Sequence, residues 1–389
     1  MIGSSMKLPL EEVTILEFSQ YLSGPCAGLR LADLGARVIK IERPGKGDAG
    51  RQLAIKNLWV DESSLLFHTI NRNKDSVVAN LKNPDDMAFV KQLITKADVI
   101  ISNFRPGVME SLGLDYPSVK KLNPSIIYTE ISGYGKKGPW NHKAGQDLLT
   151  QAISGLAFAT GNNNDYPMPF GLAIGDYLCG NQAVQAILAA LIRRRKTGRG
   201  ALLELSLLES LLDFQFEFFT TYFQTHRQHQ RSAINNGHSL LSAPYGIYKT
   251  ADSYIAVAMM PLQKLNTILQ IEALEKFMEH EVFEKRDEIK AILSECFITV
   301  TTENWLKRMR AHDLWVMPVL NWKQLIQTST YQALNMEQEF SVGDKTITTT
   351  RCPIRYNKHY FLSPKPAPQL GEHTEQLKNE LLNGKICNS

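Results

Sequence analysis

The sequence contains no run of about 18 apolar residues, and no charged N-terminal segment leads into an apolar one, so it offers no support for membrane insertion or export. Cysteine is sparse. Cys26, Cys179, Cys296, Cys352 and Cys387 are odd in number, widely spread and free of CxxC pairs, which argues against a disulfide framework or a zinc site and fits a reducing cytoplasm. The excess of positive charge is small, +4 net, with both signs interspersed, so nucleic acid is not an expected partner. The nine histidines lack metal-ligand spacing; no metal is expected, and His238 and His373 read as ordinary side chains. There is no internal repeat or low-complexity tract, and the opening MIGSSM reads as a short leader.

What is present is an ordinary globular composition, 43% apolar over 389 residues, long enough for two domains. Val13 to Phe18 reads as a buried strand, SQYLSGP as a loop, Pro25 to Leu34 as a helix closed by Gly35, and Arg37 to Glu42 as a second strand. This β-α-β unit ends on an acidic residue as nucleotide folds do, yet its first turn carries Ser23-Gly24-Pro25 where a dinucleotide site needs three spaced glycines. Asn71 to Lys82 holds a short strand around Val77 and Val78. Pro84 to Ala97 is an amphipathic helix with Asn83 as its N-cap, Val108 to Leu112 is a short helix, and Val99 to Ser102 and Ile126 to Ile131 are further strands. Three loops with glycine and positive charge follow strands: Glu42 to Arg51, with Arg43, Lys46, Asp48 and Arg51; Asn103 to Gly107; and Ser132 to Pro139, with Lys136 and Lys137. The alternation predicts an α/β protein with a Rossmann-like, doubly wound parallel sheet, its loops gathered on one edge that suits an anionic ligand with several phosphates. Arg43 by itself reads either as a solvated loop residue or as a phosphate ligand.

The stretch from Gly171 to Ser206 organises the chain. Leu178, Val184, Ile187, Leu188, Leu191 and Ile192 recur at helical spacing with no proline between them, predicting a mostly buried helix from Tyr177 to Arg194. Asp176, preceded by Gly175, stands directly before it and on spacing is an N-cap. A second reading is catalytic, because the helix dipole and unpaired N–H groups would stabilise the ionised carboxylate that a nucleophile or base needs. Gly171, Gly175 and Gly180 would let a ligand approach the backbone. Arg193 to Lys196 complements the helix C-terminus before Gly198 rather than forming an anion patch. Leu207 to Gln230 reads as helical, with Phe214, Phe216, Phe218, Phe219, Tyr222 and Phe223 in a core or a subunit interface. Ala243 to Met259 alternates like a hairpin turning near Ala251-Asp252, and helices follow from Leu262 to about Ala311. The expected organisation is a large domain beginning in residues 1–224, a small α+β domain in 225–325, and a return linker with the rest of the large domain in 326–389.

In this order, the SGP loop at Ser23 to Pro25, GARVIKIERPG, NRNK, NFRPGV followed by LGL, ISGYG, the Gly175-Asp176 pair, RKTGRG, APYG and APQLGEHT resemble the class III CoA-transferases over nearly the whole chain. That family includes formyl-CoA:oxalate and carnitine CoA-transferases. The resemblance implies that Asp176 is a nucleophile, a role compatible with capping. Its carboxylate would attack an acyl-CoA thioester to give a mixed anhydride, and the released thiolate would return to form an aspartyl-CoA thioester from which the acceptor acid takes CoA. It further implies CoA contacts at Leu22 and Ser23, at Arg43, at Ala79, Asn80, Leu81 and Lys82, at Asn103, Phe104 and Arg105, and at Ser132, Gly133, Tyr134 and Gly135. CoA thioester is then a substrate, with no permanently bound cofactor, and the chain forms an interlocked homodimer.

The sequence also departs from the family pattern. Ser111 and Ser132 stand where formyl-CoA enzymes place an arginine and a lysine against CoA, so phosphate binding would lean on Arg43, Arg105, Lys136 or Lys137. Gly237, His238 and Ser239 are the nearest counterpart of the family's glycine-rich substrate loop. CoA racemases of the same fold carry a catalytic histidine in a GHD motif. Gly145-Gln146-Asp147 stands there, so a 2-methylacyl-CoA racemase is a rival reading that lacks one base. Leu22 occupies the place of a glutamine that faces the intermediates in formyl-CoA enzymes. Leucine packs against a methyl group and cannot hydrogen-bond a formyl or carboxylate group, so acetyl-CoA is the expected donor and oxalate the expected acceptor, with formyl-CoA or succinyl-CoA as alternative donors.

Overall fold

Six strands build one parallel sheet in a computed structural model that describes residues 7–363 and 365–384; the MIGSSM opening and Cys387 lie outside the described residues. They are β1 (Thr14–Phe18), β2 (Arg37–Glu42), β3 (Lys74–Val78), β4 (Val99–Ser102), β5 (Ile127–Ser132) and β6 (Ala201–Ser206), in the spatial order β3-β2-β1-β4-β5-β6. This is the doubly wound, dinucleotide-fold order, reached without the glycine fingerprint. Parallel strands covered on both faces read as apolar runs, which is why most of them are legible. The sixth, ALLELS, is only half-buried along most of its length, and its pattern is correspondingly weak.

The helices that matter for the site are α1 (Ser23–Asp33), α2 (Pro84–Lys96), α3 (Asp147–Ser154), α4 (Ile174–Thr197), α5 (Leu207–Phe214) and α6 (Phe216–Thr225). Ala27 and Leu31 of α1 and Ala183, Ile187 and Leu191 of α4 pack over Ile15, Val38, Ile101 and Ile127 on one face of the sheet. On the other face Val90, Leu93 and Ile94 of α2 meet Leu16, Ile39, Ile100 and Tyr128, joined by Leu377 of the C-terminal helix Thr374–Leu382. Asn83 caps α2, its side chain accepting from the Asp85 and Asp86 N–H groups. The C-terminal helix is tied to β3. The Ser76 N–H donates to His373 Nδ1 at 3.3 Å and the Val78 N–H to Thr374 Oγ1 at 3.0 Å, so His373 has a structural task.

The chain divides into two units. The larger comprises residues up to Thr150, Ala173–Leu211 and the chain from Asn335 onward; the smaller comprises Gln151–Leu172 and Leu212–Leu334. The smaller unit is wider than 225–325 because long-range hydrogen bonds stitch its two segments together. The Gln215 amide donates to the Ser154 carbonyl, and the buried Arg231 guanidinium donates to the carbonyls of Thr160 and Asp165. Its antiparallel sheet has the order β9-β8-β7, where β7 is Gly246–Lys249, β8 Tyr254–Val257 and β9 Val316–Pro318, with the hairpin turn at the expected place. Tyr248, Ile255, Phe297 and Trp305 fill its core.

One helical expectation and the placing of its aromatic residues change. Leu207 to Gln230 is broken at Gln215 and ends at Thr225, where His226 turns left-handed with φ 53°. Phe214, Phe216, Tyr222 and Phe223 are exposed and belong to no core of the described chain. Among the described residues no helix is long and apolar enough to cross a membrane.

Candidate active site

Helix α4 begins at Ile174, three residues before the expected start, and places Asp176 inside the first turn rather than at the N-cap. The cap comes from elsewhere: Asp147, at the start of α3, accepts the Gly175 N–H at 2.7 Å and the Asp176 N–H at 3.2 Å through Oδ1. Gly175 permits this approach, since a Cβ there would stand 2.9 Å from Asp147 Oδ1 and 3.2 Å from Leu211. Gly180 likewise serves packing and not a ligand. A Cβ on it would lie 2.8 Å from the Ser23 carbonyl oxygen and 3.2 Å from Cys26, so its absence lets α4 close on α1. Gly171, with φ 85°, has nothing near its missing Cβ.

The closeness of α4 and α1 brings Asp176 near Ser23, whose hydroxyl favours the ionised carboxylate. Burial pushes the Asp176 pKa up to about 7, the negative charge of Asp147 adds to the rise, and the Ser23 hydroxyl opposes it. The expectation that the helix N-terminus would favour ionisation is therefore reversed. Two first-turn N–H groups are already engaged by another carboxylate, and that carboxylate repels charge on Asp176.

Ser23 is buried in the first turn of α1, just past the C-terminal end of β1, where the strand order turns about β1 and β4. From the end of β4, Asn103 reaches across. Its Oδ1 accepts the Gln20 N–H at 2.8 Å, and its Nδ2 donates to the Gln20 carbonyl at 2.7 Å and to Ser23 Oγ at 3.3 Å. Ser23, Asn103 and Asp176 thus converge on one point of the sheet edge. Leu22 lies beside them, partly buried against Cys26, Leu29 and Ile70.

A second cluster forms over the ends of β4, β5 and β6. Phe104, Arg105, Ser132, Tyr134, Gly135, Lys136 and Lys137 line a cavity of about 360 Å³. Ser132 Oγ accepts the Gly135 N–H at 3.0 Å, Tyr134 donates to the Ala144 carbonyl at 3.2 Å, and Gly133 packs directly on the backbone of Gly145, leaving no room for a side chain. Lys136 is engaged by Glu130 and Glu204, whereas no ion pair holds Arg105 or Lys137 among the described residues.

The remaining predicted contacts are spread further along the edge. Arg43 is exposed beyond β2, its Nε donating to the Gly47 carbonyl at 3.1 Å. Ala79 is buried and bonds the Glu42 carbonyl, Asn80 and Lys82 are exposed, and Leu81 packs on the sheet core. Gly237, His238 and Ser239 form a packed turn in the smaller unit. The His238 ring stacks on Phe218 at 5.2 Å with Nε2 3.2 Å from a Glu217 carboxylate oxygen, Ser239 is buried, and Gly237 faces the Tyr245 ring.

Two charges expected at the ligand edge are instead structural. Asp48 pairs with Lys40 at 2.7 Å. Arg51 grips Glu42 through Nε and Nη2 at 2.8 and 2.7 Å, and its guanidinium lies over Phe67. Asp48 belongs to a buried network that sequence reasoning missed. Glu17 pairs with Lys40 and Lys74 at 2.8 Å each, and all three side chains are wholly buried. Burial alone would raise the Glu17 pKa, but the two ammonium groups hold it below the usual carboxylate range; burial pulls Lys74 down to about 8, with Glu17 opposing. The available signal was a charge inside each of two neighbouring apolar strands, Glu17 in TILEF and Lys40 in the middle of RVIKIE, of opposite sign. The network supports the loop above it, since Asp48 Oδ1 accepts the N–H of Tyr21, a left-handed residue at φ 63°.

Comparison with known proteins agrees with this architecture. The chain is 33% identical over 383 residues to the succinyl-CoA:glutarate CoA-transferase of Homo sapiens, covering 96% of this chain and 86% of that protein. It is 32% identical over 383 residues to the acetyl-CoA:oxalate CoA-transferase of Acetobacter aceti, covering 96% of each. The crystal structure of a CAIB/BAIF family protein from Brucella suis superposes with a TM-score of 0.82 at 28% identity, covering 97% of this chain and all of that one. Residues 10–374, and with them both the Asp176 site and the loops of the sheet edge, match the model of CoA-transferase family III, and the chain belongs to that family.

Proposed function

We propose that the chain moves CoA from a small acyl-CoA to a small carboxylic acid through covalent intermediates on Asp176. The observation that carries this reading is a partly buried carboxylate in the first turn of α4, its backbone held by Asp147, at the ligand edge of the sheet; burial pushes its pKa up to about 7, which makes it a stronger base than a solvated aspartate while leaving much of it ionised near neutral pH. An Asp176 oxygen attacks the thioester carbonyl, the C–S bond breaks, and CoA leaves as the thiolate with a mixed anhydride formed. The thiolate then attacks Asp176 Cγ, the donor acid departs as carboxylate, and an aspartyl-CoA thioester results. The acceptor carboxylate repeats these two steps in reverse order, so no net proton is consumed.

Arg105 and Lys137, with Arg43 further along the edge, supply the positive charge for CoA phosphates in this reading. We assign acetyl-CoA as donor and oxalate as acceptor, supported by the apolar setting of Leu22 and the likeness to the Acetobacter aceti enzyme. A second pair, succinyl-CoA and glutarate, is favoured by the likeness to the human enzyme. A homodimer is supported by large apolar side chains left exposed in the single chain, among them Leu148, Ile192, Phe216 and Phe223. The free thiols of Cys26, Cys179, Cys296 and Cys352 support a cytoplasmic setting.

The deciding experiment compares kcat/KM for acetyl-, formyl-, succinyl- and oxalyl-CoA against oxalate, glutarate and acetate. Acetyl-CoA with oxalate is expected to lead. A tenfold preference for succinyl-CoA, about 1.4 kcal/mol in the transition state, would replace that pair with the second one.

A further inference from the structure

We infer that Tyr177 is a specificity-determining residue that donates a hydrogen bond to the free carboxylate of a dicarboxylic acceptor acid, with Arg30 as the positioning residue that aims its phenol. The inference deepens the reading of Asp176 as the nucleophile and rests on it. Its first support is helix geometry. Gly180 is a point at which α4 touches α1, since a Cβ there would stand 2.8 Å from the Ser23 carbonyl oxygen and 3.2 Å from Cys26 Cβ. Asp176 and Tyr177 precede Gly180 by four and three residues, so both lie on the face of α4 turned to α1, side by side one turn nearer the helix start. An acid bound at Asp176 therefore has Tyr177 as its neighbour on that face, and the Tyr177 side chain is open to it, at 41% exposure.

A second support is the hydrogen bond that Tyr177 makes and the one it does not. Arg30 Nη2, from α1, donates to Tyr177 Oη at 3.2 Å. A guanidinium carries no acceptor, so the phenol oxygen accepts and its own proton stays free. Among the described residues no acceptor takes that proton. The third support is charge. The Asp33 carboxylate is shared by Arg30 and Arg72, each at 3.1 Å, and among the described residues no other carboxylate pairs with either guanidinium. Two positive charges thus face one negative charge beside Tyr177. A phenol donor backed by surplus positive charge suits a carboxylate and gains nothing from a methyl group. Transfer of CoA engages one carboxylate of an acid such as oxalate or glutarate and leaves the second ionised, so a dicarboxylic acceptor brings the anion that this pair lacks.

The test sets each dicarboxylate against the monocarboxylate in which a methyl group replaces the second carboxylate: oxalate against acetate, and glutarate against pentanoate. All four acids carry an isotopic label, one acyl-CoA donor is used throughout, and kcat/KM is read from label entering acyl-CoA. Wild-type enzyme quenched during turnover is first measured by intact mass with peptide mapping. Absence of an adduct on Asp176 would remove the nucleophile reading and this inference with it. With the adduct present, the wild type is expected to favour at least one dicarboxylate over its monocarboxylate by about tenfold or more. Tyr177→Phe is expected to lose about 10- to 100-fold for that dicarboxylate, mostly in KM, while the monocarboxylate stays within about threefold. Arg30→Gln removes the aiming bond together with the charge and should erase the same preference. Titration of CoA onto both variants should match wild type within about twofold. An Asp176 adduct with no dicarboxylate preference in the wild type, or a preference that survives either substitution, overturns the inference alone. Equal losses for both acids of a pair would show that Tyr177 serves the fold, and weakened CoA binding would make it a CoA contact; either result overturns the inference as well. Should Arg30→Gln fail a thermal-melt check, Tyr177→Phe decides by itself, since it keeps the ring and loses only the hydroxyl.

Discussion

Asp147 Oδ1 stands 2.7 Å from the Gly175 nitrogen, so the carboxylate that caps the long helix α4 belongs to another helix, 28 residues earlier in the chain. Gly175 is the residue that makes this possible, and Gly175→Ala tests it. The added methyl would crowd Asp147 Oδ1 at 2.9 Å and Leu211 at 3.2 Å. We expect a loss of about 1–3 kcal/mol in stability, as for overpacking, and at least a tenfold fall in kcat as Asp176 shifts. Denaturant unfolding and steady-state rates read both; wild-type values of each would show that the close approach is not needed.

Asp176→Asn is expected to abolish transfer to within a few parts in a thousand or less, since a covalent nucleophile is lost. The same change should stabilise the fold at pH 8. The folded pKa of about 7 lies above the ordinary 3.8, so the native state holds its proton more tightly than the unfolded chain. This group's contribution to stability therefore falls as pH rises from about 4 to about 7, and above that the ionised form costs on the order of 2–4 kcal/mol. The stability gap between variant and wild type should widen over that window and be small at pH 4. A gap independent of pH would contradict the raised pKa.

For the same reason kcat/KM for acyl-CoA should fall about tenfold per pH unit below pH 7, with Asp176 protonated and unable to attack. A profile flat to pH 5.5 would mean that the free enzyme's nucleophile ionises at an ordinary carboxylate value.

The basic residues of the sheet edge should separate by what already holds them. Arg105→Ala and Lys137→Ala are expected to raise KM for acyl-CoA severalfold with kcat little changed, and Arg43→Ala should act in the same direction. Lys136→Ala should do less, because Glu130 and Glu204 already engage its ammonium group. Saturation curves for the four variants decide it, and a dominant effect at Lys136 would show that those ion pairs break when CoA binds.

Glu17→Gln is expected to destabilise the fold by about 3–5 kcal/mol, since it leaves Lys74 wholly buried without its carboxylate partner while Lys40 keeps Asp48. Chemical denaturation measures this directly. A loss under about 1 kcal/mol would mean that the network is dispensable for stability.

Taken by itself, the sequence determined what depends on neighbours a few residues away. Apolar runs such as TILEF and RVIKIE predict buried strands, Asn83 before Pro84 predicts a capped helix, the alternation around Ala251-Asp252 predicts a hairpin, and Gly175-Asp176 before a long apolar repeat marks the candidate nucleophile. These signals are local because helix and strand periodicities and caps act over one or two turns. The tertiary structure alone decided which carboxylate caps α4, that Asn103 reaches Ser23, and that Glu17 lies between Lys40 and Lys74. The partners are 29, 80 and 57 residues apart for Asp147 with Asp176, Asn103 with Ser23, and Lys74 with Glu17. Parallel strands meet only through crossovers, so neither their order nor their register is written in any short segment. The protonation of Asp176 followed the same rule: its position at a helix start argued for an ordinary, ionised aspartate, and burial beside Asp147, a property of the assembled fold, raised its pKa to about 7.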